Sequence, residues 1–284
     1  IKVHKLNNDQ AQKESQKINT TIMSVRRTVA FSKNSANLFF HMLTECNLNC
    51  RHCYINPEQH GKTRVPLKTI KAWLDVFSDK SAAPNLIFLG GEPTLHPNLA
   101  EAVEYARSSS FNSITIDTNG FLFHDILDKV GPEAVDFFSF SLDGATRKTN
   151  DAIRGQGSYD ACINGIQKTV SAGFATSLIY TVSRANIDEL VRMPALLSNL
   201  GVDRFFIQVI GLRGKASRSG AKGALQVSRS EWLQTIPSLA QKIAALGITV
   251  SYPKVYLEPE QPFVCAGRVA HNYFVFPNRR VYHC

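Results

Sequence analysis

The sequence predicts an α/β fold: a partial (β/α)6 barrel of the TIM type with a small C-terminal, cysteine-containing β-hairpin extension. Three observations carry this expectation. Six short apolar segments alternate with amphipathic helical stretches, a pattern that calls for a parallel sheet with right-handed crossovers. Segments such as Ile87-Phe88-Leu89 and Phe205-Phe206-Ile207 are unbroken apolar runs, as expected of strands covered on both faces. The polar, glycine-bearing segments fall just after strand ends, the edge on which parallel folds build their sites.

In chain order, residues 1–34 read as a polar lead-in, 35–247 as the barrel and 248–284 as the extension. The expected strands are Asn37–Leu43, Asn85–Leu89, Ser113–Asp117, Phe137–Leu142, Thr176–Val182 and Arg204–Ile210. Helices are expected near Leu67–Phe77, Asn98–Ser108, Phe123–Val130, Tyr159–Ala172, Ile187–Leu200 and Arg229–Leu246. Ser228 followed three residues later by Glu231 is a capping-box pattern and fixes the start of the last helix. Leu212–Val227 breaks the rhythm with Gly214, Gly220, Gly223 and several basic residues, and reads as a mobile loop. It is either a solvated basic loop or a contact for an anionic substrate. Beyond Leu246, Pro253, Pro259 and Pro262 mark a change of composition. Tyr273–Phe276 and Arg280–Tyr282, joined by Pro277-Asn278, form the expected hairpin. The first residue is Ile and the last hairpin strand stops at Cys284, so the native chain is expected to extend past both.

Composition narrows the function. The 284 residues carry 32 Lys+Arg against 23 Asp+Glu, a formal charge of +9, with 44% apolar and 19% charged residues. That balance excludes disorder as the main state. No run approaches the ~18 apolar residues of a membrane helix, and no signal core opens the chain. The basic residues are scattered rather than blocked, which argues against a nucleic-acid partner. Six cysteines are too sparse for a disulfide scaffold, yet Cys46, Cys50 and Cys53 lie within eight residues. That spacing points to metal in a reducing, cytoplasmic compartment.

The segment Thr44-Glu45-Cys46-Asn47-Leu48-Asn49-Cys50-Arg51-His52-Cys53-Tyr54 sets three thiols on one loop after the first strand. Structural zinc and a cubane iron–sulfur cluster each normally take four protein ligands, so three leave one position open for chemistry. A zinc knuckle completed by His52 is the plain alternative, although His52 adjoins Cys53 and adjacent residues rarely bind one ion. The Cys-x-x-x-Cys-x-x-Cys loop ending in Tyr54 resembles the cluster loop of the radical S-adenosylmethionine (radical SAM) superfamily. The resemblance implies a [4Fe-4S] cluster on Cys46, Cys50 and Cys53. It also implies that SAM ligates the fourth iron and is cleaved reductively to methionine and a 5′-deoxyadenosyl radical.

Leu89-Gly90-Gly91-Glu92-Pro93-Thr94 follows the second strand. Two glycines allow the backbone to approach a ligand, and Glu92 adds negative charge for a cation. The segment is similar to the GGEP motif that holds the SAM amino group, which implicates Gly90, Gly91, Glu92 and Pro93. Thr118-Asn119-Gly120 reads as a tight turn and resembles the family's Thr-Asn-Gly on the cavity floor. Ser141-Leu142-Asp143-Gly144 and Arg154-Gly155 resemble a further pair of family motifs. They imply Ser141 on a ribose hydroxyl or carboxylate, Arg154 on the carboxylate, and Asp143 as a cofactor contact or a helix cap. Thr181, Val182 and Ser183 would line the barrel mouth or belong to the core, and Ile210-Gly211 would lie near the adenine. The resemblance covers about Phe39 to Gly211.

Cys265 and Cys284 bracket the hairpin and resemble the opening of a SPASM or twitch extension, which implies an auxiliary iron–sulfur cluster there. Two buried free thiols are the alternative. Thirteen residues separate Cys265 from position 279 and four more precede Cys284, but position 279 is Arg where that pattern has Gly. Cys162 reads as a plain core residue. The extension implies a peptide or protein substrate, with small-molecule or cofactor biosynthesis as the alternative. A non-catalytic iron–sulfur or electron-transfer protein is the rival from another class. The ~35-residue lead-in is below the ~50 of a small domain, so recognition of a leader peptide would fall to a separate protein. The electron donor expected for the family is flavodoxin- or ferredoxin-like. No catalytic acid or base is singled out; Asp117, Glu258 and Glu260 are the candidates.

Overall fold

The computed structural model describes residues 36–78, 83–218, 225–256, 260 and 271–283. The chain runs β1 (Ala36–His41), α1 (Leu67–Ser78), β2 (Asn85–Leu89), α2 (Leu99–Ser108), β3 (Ser113–Thr118), α3 (Ile126–Lys129) and β4 (Phe137–Ser141). It continues through α4 (Arg147–Arg154), α5 (Ser158–Ser171), β5 (Thr176–Val182), α6 (Met193–Leu200) and β6 (Arg204–Val209). The remaining elements are α7 (Lys215–Arg218), α8 (Arg229–Ala245), β7 (Thr249–Ser251), β8 (His271–Val275) and β9 (Val281–His283). One sheet holds every strand in the order β7-β6-β5-β4-β3-β2-β1-β8-β9, parallel throughout except for the β8–β9 hairpin.

The pleat sorts each strand between two environments. Leu38 and Phe40, Leu86 and Phe88, Ile114 and Ile116, and Phe138 and Phe140 are buried in the hydrophobic core with the helices. Each such side chain contributes about 1.5–3 kcal/mol by leaving water. The alternate residues face the concave interior. At its N-terminal edge Asn37, Asn85, Asn112, Ser113 and Asn272 share one hydrogen-bonded row across β8, β1, β2 and β3. In the next layer Phe39 stacks on Phe274, with ring centroids 4.7 Å apart.

The six expected strands are present, and the differences have local causes. The helix expected over Ile187–Leu200 is a 3-10 turn (Ile187–Arg192) followed by α6, because Pro194 fits only the first turn of an α-helix. The helix expected over Phe123–Val130 begins as a 3-10 turn and is regular only in α3, since Leu122, His124 and Asp125 sit at positive φ. α4 and β7 were not foreseen. β7 continues the parallel sheet beyond residue 247, and β8 pairs in parallel with β1, so the hairpin extends the barrel sheet. The Ser228–Glu231 capping box is present in full. Among the described residues, no helix is long and apolar enough to cross a membrane.

Candidate functional site

The loop after β1 carries the three cysteines on the C-terminal edge of the sheet. All three are free and partly buried. The Leu48 N–H donates to Cys46 Sγ at 3.4 Å, and His60 Nε2 lies 3.5 Å from Cys53 Sγ. Burial pushes the Cys46 thiol up to about 12 and raises Cys50 and Cys53 as well; Arg154 and Lys215 oppose the rise at both of these. A cationic iron centre would reverse that balance and favour the thiolates. Among the described residues, no three His, Cys, Asp or Glu side chains converge tightly enough for a single metal ion. A cubane would take one thiolate on each of three irons and does not require the three to meet on one ion.

The loop is held from the β2–β3 side by Glu92. The parallel ladder of β1 and β2 runs on past the strands, with Gly91 N–H donating to the Leu43 carbonyl (3.1 Å) and Glu92 N–H to the Glu45 carbonyl (2.9 Å). A Cβ on Gly91 would collide with the Glu45 carbonyl and crowd Cys46. Gly91 therefore serves close packing on the cysteine loop, beside the approach to a ligand that the sequence suggests. The buried Glu92 carboxylate accepts from Thr94 N–H, from the Thr94 and Thr118 hydroxyls (2.7 Å each) and from Asn119 N–H (2.8 Å). Burial raises its pKa, against the pull of those donors. Asn119 Nδ2 then donates to Asn47 Oδ1 inside the cysteine loop at 2.7 Å. Gly120, at φ +94°, touches Cys162 on α5 so closely that no side chain fits. Cys162 is itself fully buried in the core, as expected.

From the β4–β5 side the loop is held by Asp143, whose exposure is 0%. Its Oδ2 lies 2.6 Å from Arg154 Nε and 3.0 Å from His52 Nε2, and its Oδ1 accepts from Thr181 N–H at 2.7 Å. Burial alone would raise the acid, but Arg154, His52 and the Thr181 donor outweigh it and hold the pKa at about 2. Two expectations are thereby corrected. Asp143 offers no surface to a cofactor, and it does not cap the following helix: Thr146 caps α4 by accepting from Thr149 N–H. His52 meets Asp143 through Nε2, and its buried Nδ1 has no hydrogen-bond partner among the described residues.

The segment expected to be a mobile loop is in part a third brace. Lys215 N–H donates to the Cys53 carbonyl at 2.9 Å, Lys215 Nζ meets Asn49 Oδ1, and Gly214 (φ +59°) packs against the backbone of Cys53 and Tyr54. Tyr54 is 43% exposed, with its hydroxyl 3.5 Å from His41 Nε2. His41 in turn stacks on Phe276 of the hairpin turn. Pro93 is buried in the 3-10 turn Pro93–Leu95. Ser141 is half-buried at the end of β4, and Gly211 is exposed. Val182 is core, Thr181 gives its N–H to Asp143, and Ser183 bonds to Asn186. Asp117 faces the interior beside Ser139, its pKa pushed up to about 7 by burial and by the Glu92 charge. Glu260 is exposed. Cys265, Cys284 and Glu258 lie outside the described residues.

Residues 41–209, more than half of the chain, match the family model of the Radical SAM superfamily. The chain belongs to the Radical SAM superfamily. It is 29% identical over 192 residues to the Fe-coproporphyrin III synthase of Methanosarcina barkeri, covering 66% of this chain and 47% of that protein. It is 30% identical over 173 residues to the mycofactocin maturase MftC of Mycobacterium tuberculosis, covering 58% and 42%. The match thus spans about half the length of these curated relatives. In fold it resembles Streptococcus suis SuiB, solved bound to the precursor peptide SuiA, with a TM-score of 0.71 at 13% identity over 89% of this chain and 60% of that one. SuiB has also been solved with S-adenosylmethionine. Radical SAM membership makes the chain an enzyme of a family that uses a [4Fe-4S] cluster and SAM. Sequence reasoning missed the roles of His52, Asn47, Lys215 and Thr181. Only the place of His52 between two cysteines could have flagged one of them.

Proposed function

We propose that Cys46, Cys50 and Cys53 hold a [4Fe-4S] cluster, and that Tyr54, Gly90, Gly91, Glu92, Pro93, Thr118, Asn119, Ser141, Arg154 and Gly211 surround the SAM bound at its open position. When bound, the cluster supplies the electron that cleaves SAM, giving the radical that takes hydrogen from the substrate. One observation carries the reading: three free thiols on a single loop, pinned to the strand ends of a parallel sheet by the Glu92 backbone, the Asn119 amide and the buried Asp143 carboxylate. The Glu92 side of the pocket presents acceptors for an ammonium group, and Arg154 presents a guanidinium fork for a carboxylate. Asp143 is assigned no cofactor contact.

The substrate we infer is a peptide or protein. Two observations favour it. The hairpin turn keeps Arg279 at φ +63°, so its backbone follows the extension pattern even though its residue does not. One relative is also named a maturase. Within that reading, Cys265 and Cys284 hold an auxiliary cluster, and an acidic flavodoxin- or ferredoxin-type donor suits the +9 charge of the chain. The second reading, small-molecule chemistry, is favoured by the relative named for Fe-coproporphyrin III.

Anaerobic reconstitution with iron and sulfide, reduction and addition of SAM test the assignment. The protein is expected to form 5′-deoxyadenosine, and Cys50→Ala to form none. Cleavage that survives loss of Cys50 would overturn the assignment.

A further inference from the structure

Asp143 is a fully buried carboxylate that the proposed reaction does not use, and it touches both sides of the site. Its Oδ2 lies against Arg154 Nε (2.6 Å) and His52 Nε2 (3.0 Å). Its Oδ1 takes the Thr181 N–H, while Asn150 Oδ1 accepts its own N–H at 2.8 Å and Asn186 Nδ2 donates to its carbonyl at 2.9 Å. The side chain and backbone of Asp143 are therefore fixed by β5, by Asn150 within α4 and by Asn186 in the turn that follows β5. Arg154 approaches through Nε alone. Its two Nη groups make no hydrogen bond among the described residues, although the residue is only 8% exposed. Neither Arg154 Nε nor Asp143 Oδ2 has a hydrogen-bond partner among the described residues, so the contact is a close ion pair that holds the guanidinium by charge and leaves its Nη pair for a second planar anion. A second link joins the same parts: Arg51 N–H donates at 2.8 Å to the carbonyl of Ile153, the residue before Arg154.

We infer that Asp143 is a positioning residue for the amino-acid carboxylate of S-adenosylmethionine. It orients the Arg154 fork and, through His52, makes that grip depend on the cysteine loop. The inference rests on the proposed SAM pocket. On this account a shift of the loop at His52 moves Asp143 and hence the fork, so binding of the carboxylate and the seating of the loop are coupled. Asp143 does this without touching the cofactor.

The test compares two ligands on the reconstituted full chain, with iron per chain matched between variants. S-adenosylmethionine carries the carboxylate; 5′-methylthioadenosine keeps the adenosine and lacks the amino-acid part. Equilibrium dialysis is expected to show that Asp143→Asn weakens SAM about tenfold, as loss of a charge-assisted contact would, while 5′-methylthioadenosine changes by less than about twofold. His52→Gln, at a partly exposed position that spares the core, is expected to give a smaller loss confined to SAM. The double variant is expected to bind SAM no worse than Asp143→Asn alone, because both act through one chain of contacts. Equal losses for the two ligands would mean a merely structural role, and an unchanged SAM affinity in both single variants would refute the coupling. Failure of the unmodified protein to bind SAM would instead overturn the pocket itself.

Discussion

Glu92 and Asp143 stand at the same edge of one sheet, after β2 and after β4, and each holds the cysteine loop from one side. They do so with opposite chemistry. Glu92 is surrounded by neutral donors, two threonine hydroxyls and two backbone N–H groups, and burial wins, so its pKa is raised. Asp143 is at least as deeply buried but is flanked by Arg154 and His52, and its pKa sits at about 2. The difference shows that burial alone does not decide the state of a carboxylate; the charge of its neighbours does. It also separates two kinds of support. The Glu92 side is a hydrogen-bonded clamp, whereas the Asp143 side is an ion-paired strut that ends on an arginine facing the site.

Removing the two carboxylates should expose that contrast. Asp143→Ala leaves the Arg154 charge buried without its partner and is expected to destabilise the fold by about 3–5 kcal/mol in urea unfolding. Glu92→Gln keeps an acceptor and most of the shape, and a loss of about 1–2 kcal/mol is expected. Equal losses would erase the distinction between clamp and strut.

The pH dependence sharpens the comparison, because the signs are opposite. The Asp143 pKa is depressed in the fold, so its stabilisation is present above the ordinary value of 3.8 and is lost as pH falls toward about 2. The Glu92 pKa is raised, so stability due to its protonated form is present below 4.5 and is lost as pH rises past that value. Unfolding of the metal-free chain between pH 2 and 8 should therefore show a shallower acid limb for Asp143→Asn. For Glu92→Gln it should show less decline toward neutral pH. The same direction of change in both variants would contradict the assignment.

The smallest expected effect lies away from both carboxylates, in the hairpin. Arg279 occupies the left-handed region at the turn, closed by Arg279 N–H to the Phe276 carbonyl at 2.9 Å. That conformation costs a non-glycine residue roughly 1–2 kcal/mol. Arg279→Gly is expected to raise stability by about 1 kcal/mol, less the added freedom of the unfolded chain, as read by thermal unfolding. A loss would show that the Arg279 side chain holds the turn.

Much of this molecule is legible in the sequence where local pattern governs. The six strands follow from apolar runs, α8 from its capping box, and the cysteine loop from spacing alone. Resemblance of the Gly-Gly-Glu-Pro segment to a family motif pointed to the edge on which the site stands. What stayed hidden depends on contacts distant in the chain. Nothing near Asp143 signals that His52 and Arg154 meet on it, and nothing near Gly91 signals that its neighbour is the Glu45 carbonyl. The short β7 and the parallel pairing of β8 with β1 were hidden for the same reason, since three- and five-residue strands take their identity from the partner strand. Lys215 was read as part of a solvated loop because its partners, Cys53 and Asn49, lie more than 160 positions away.

The central claim is that the loop so firmly braced is a cluster site. The most direct measurement is iron and acid-labile sulfide per chain after anaerobic reconstitution, in the protein and in a variant with Cys46, Cys50 and Cys53 all changed to Ala. The account predicts that the variant loses about four iron and four sulfide relative to the parent, and that any iron it retains belongs to a second cluster. Stoichiometric zinc in place of iron, or an iron content the triple substitution leaves unchanged, would contradict it.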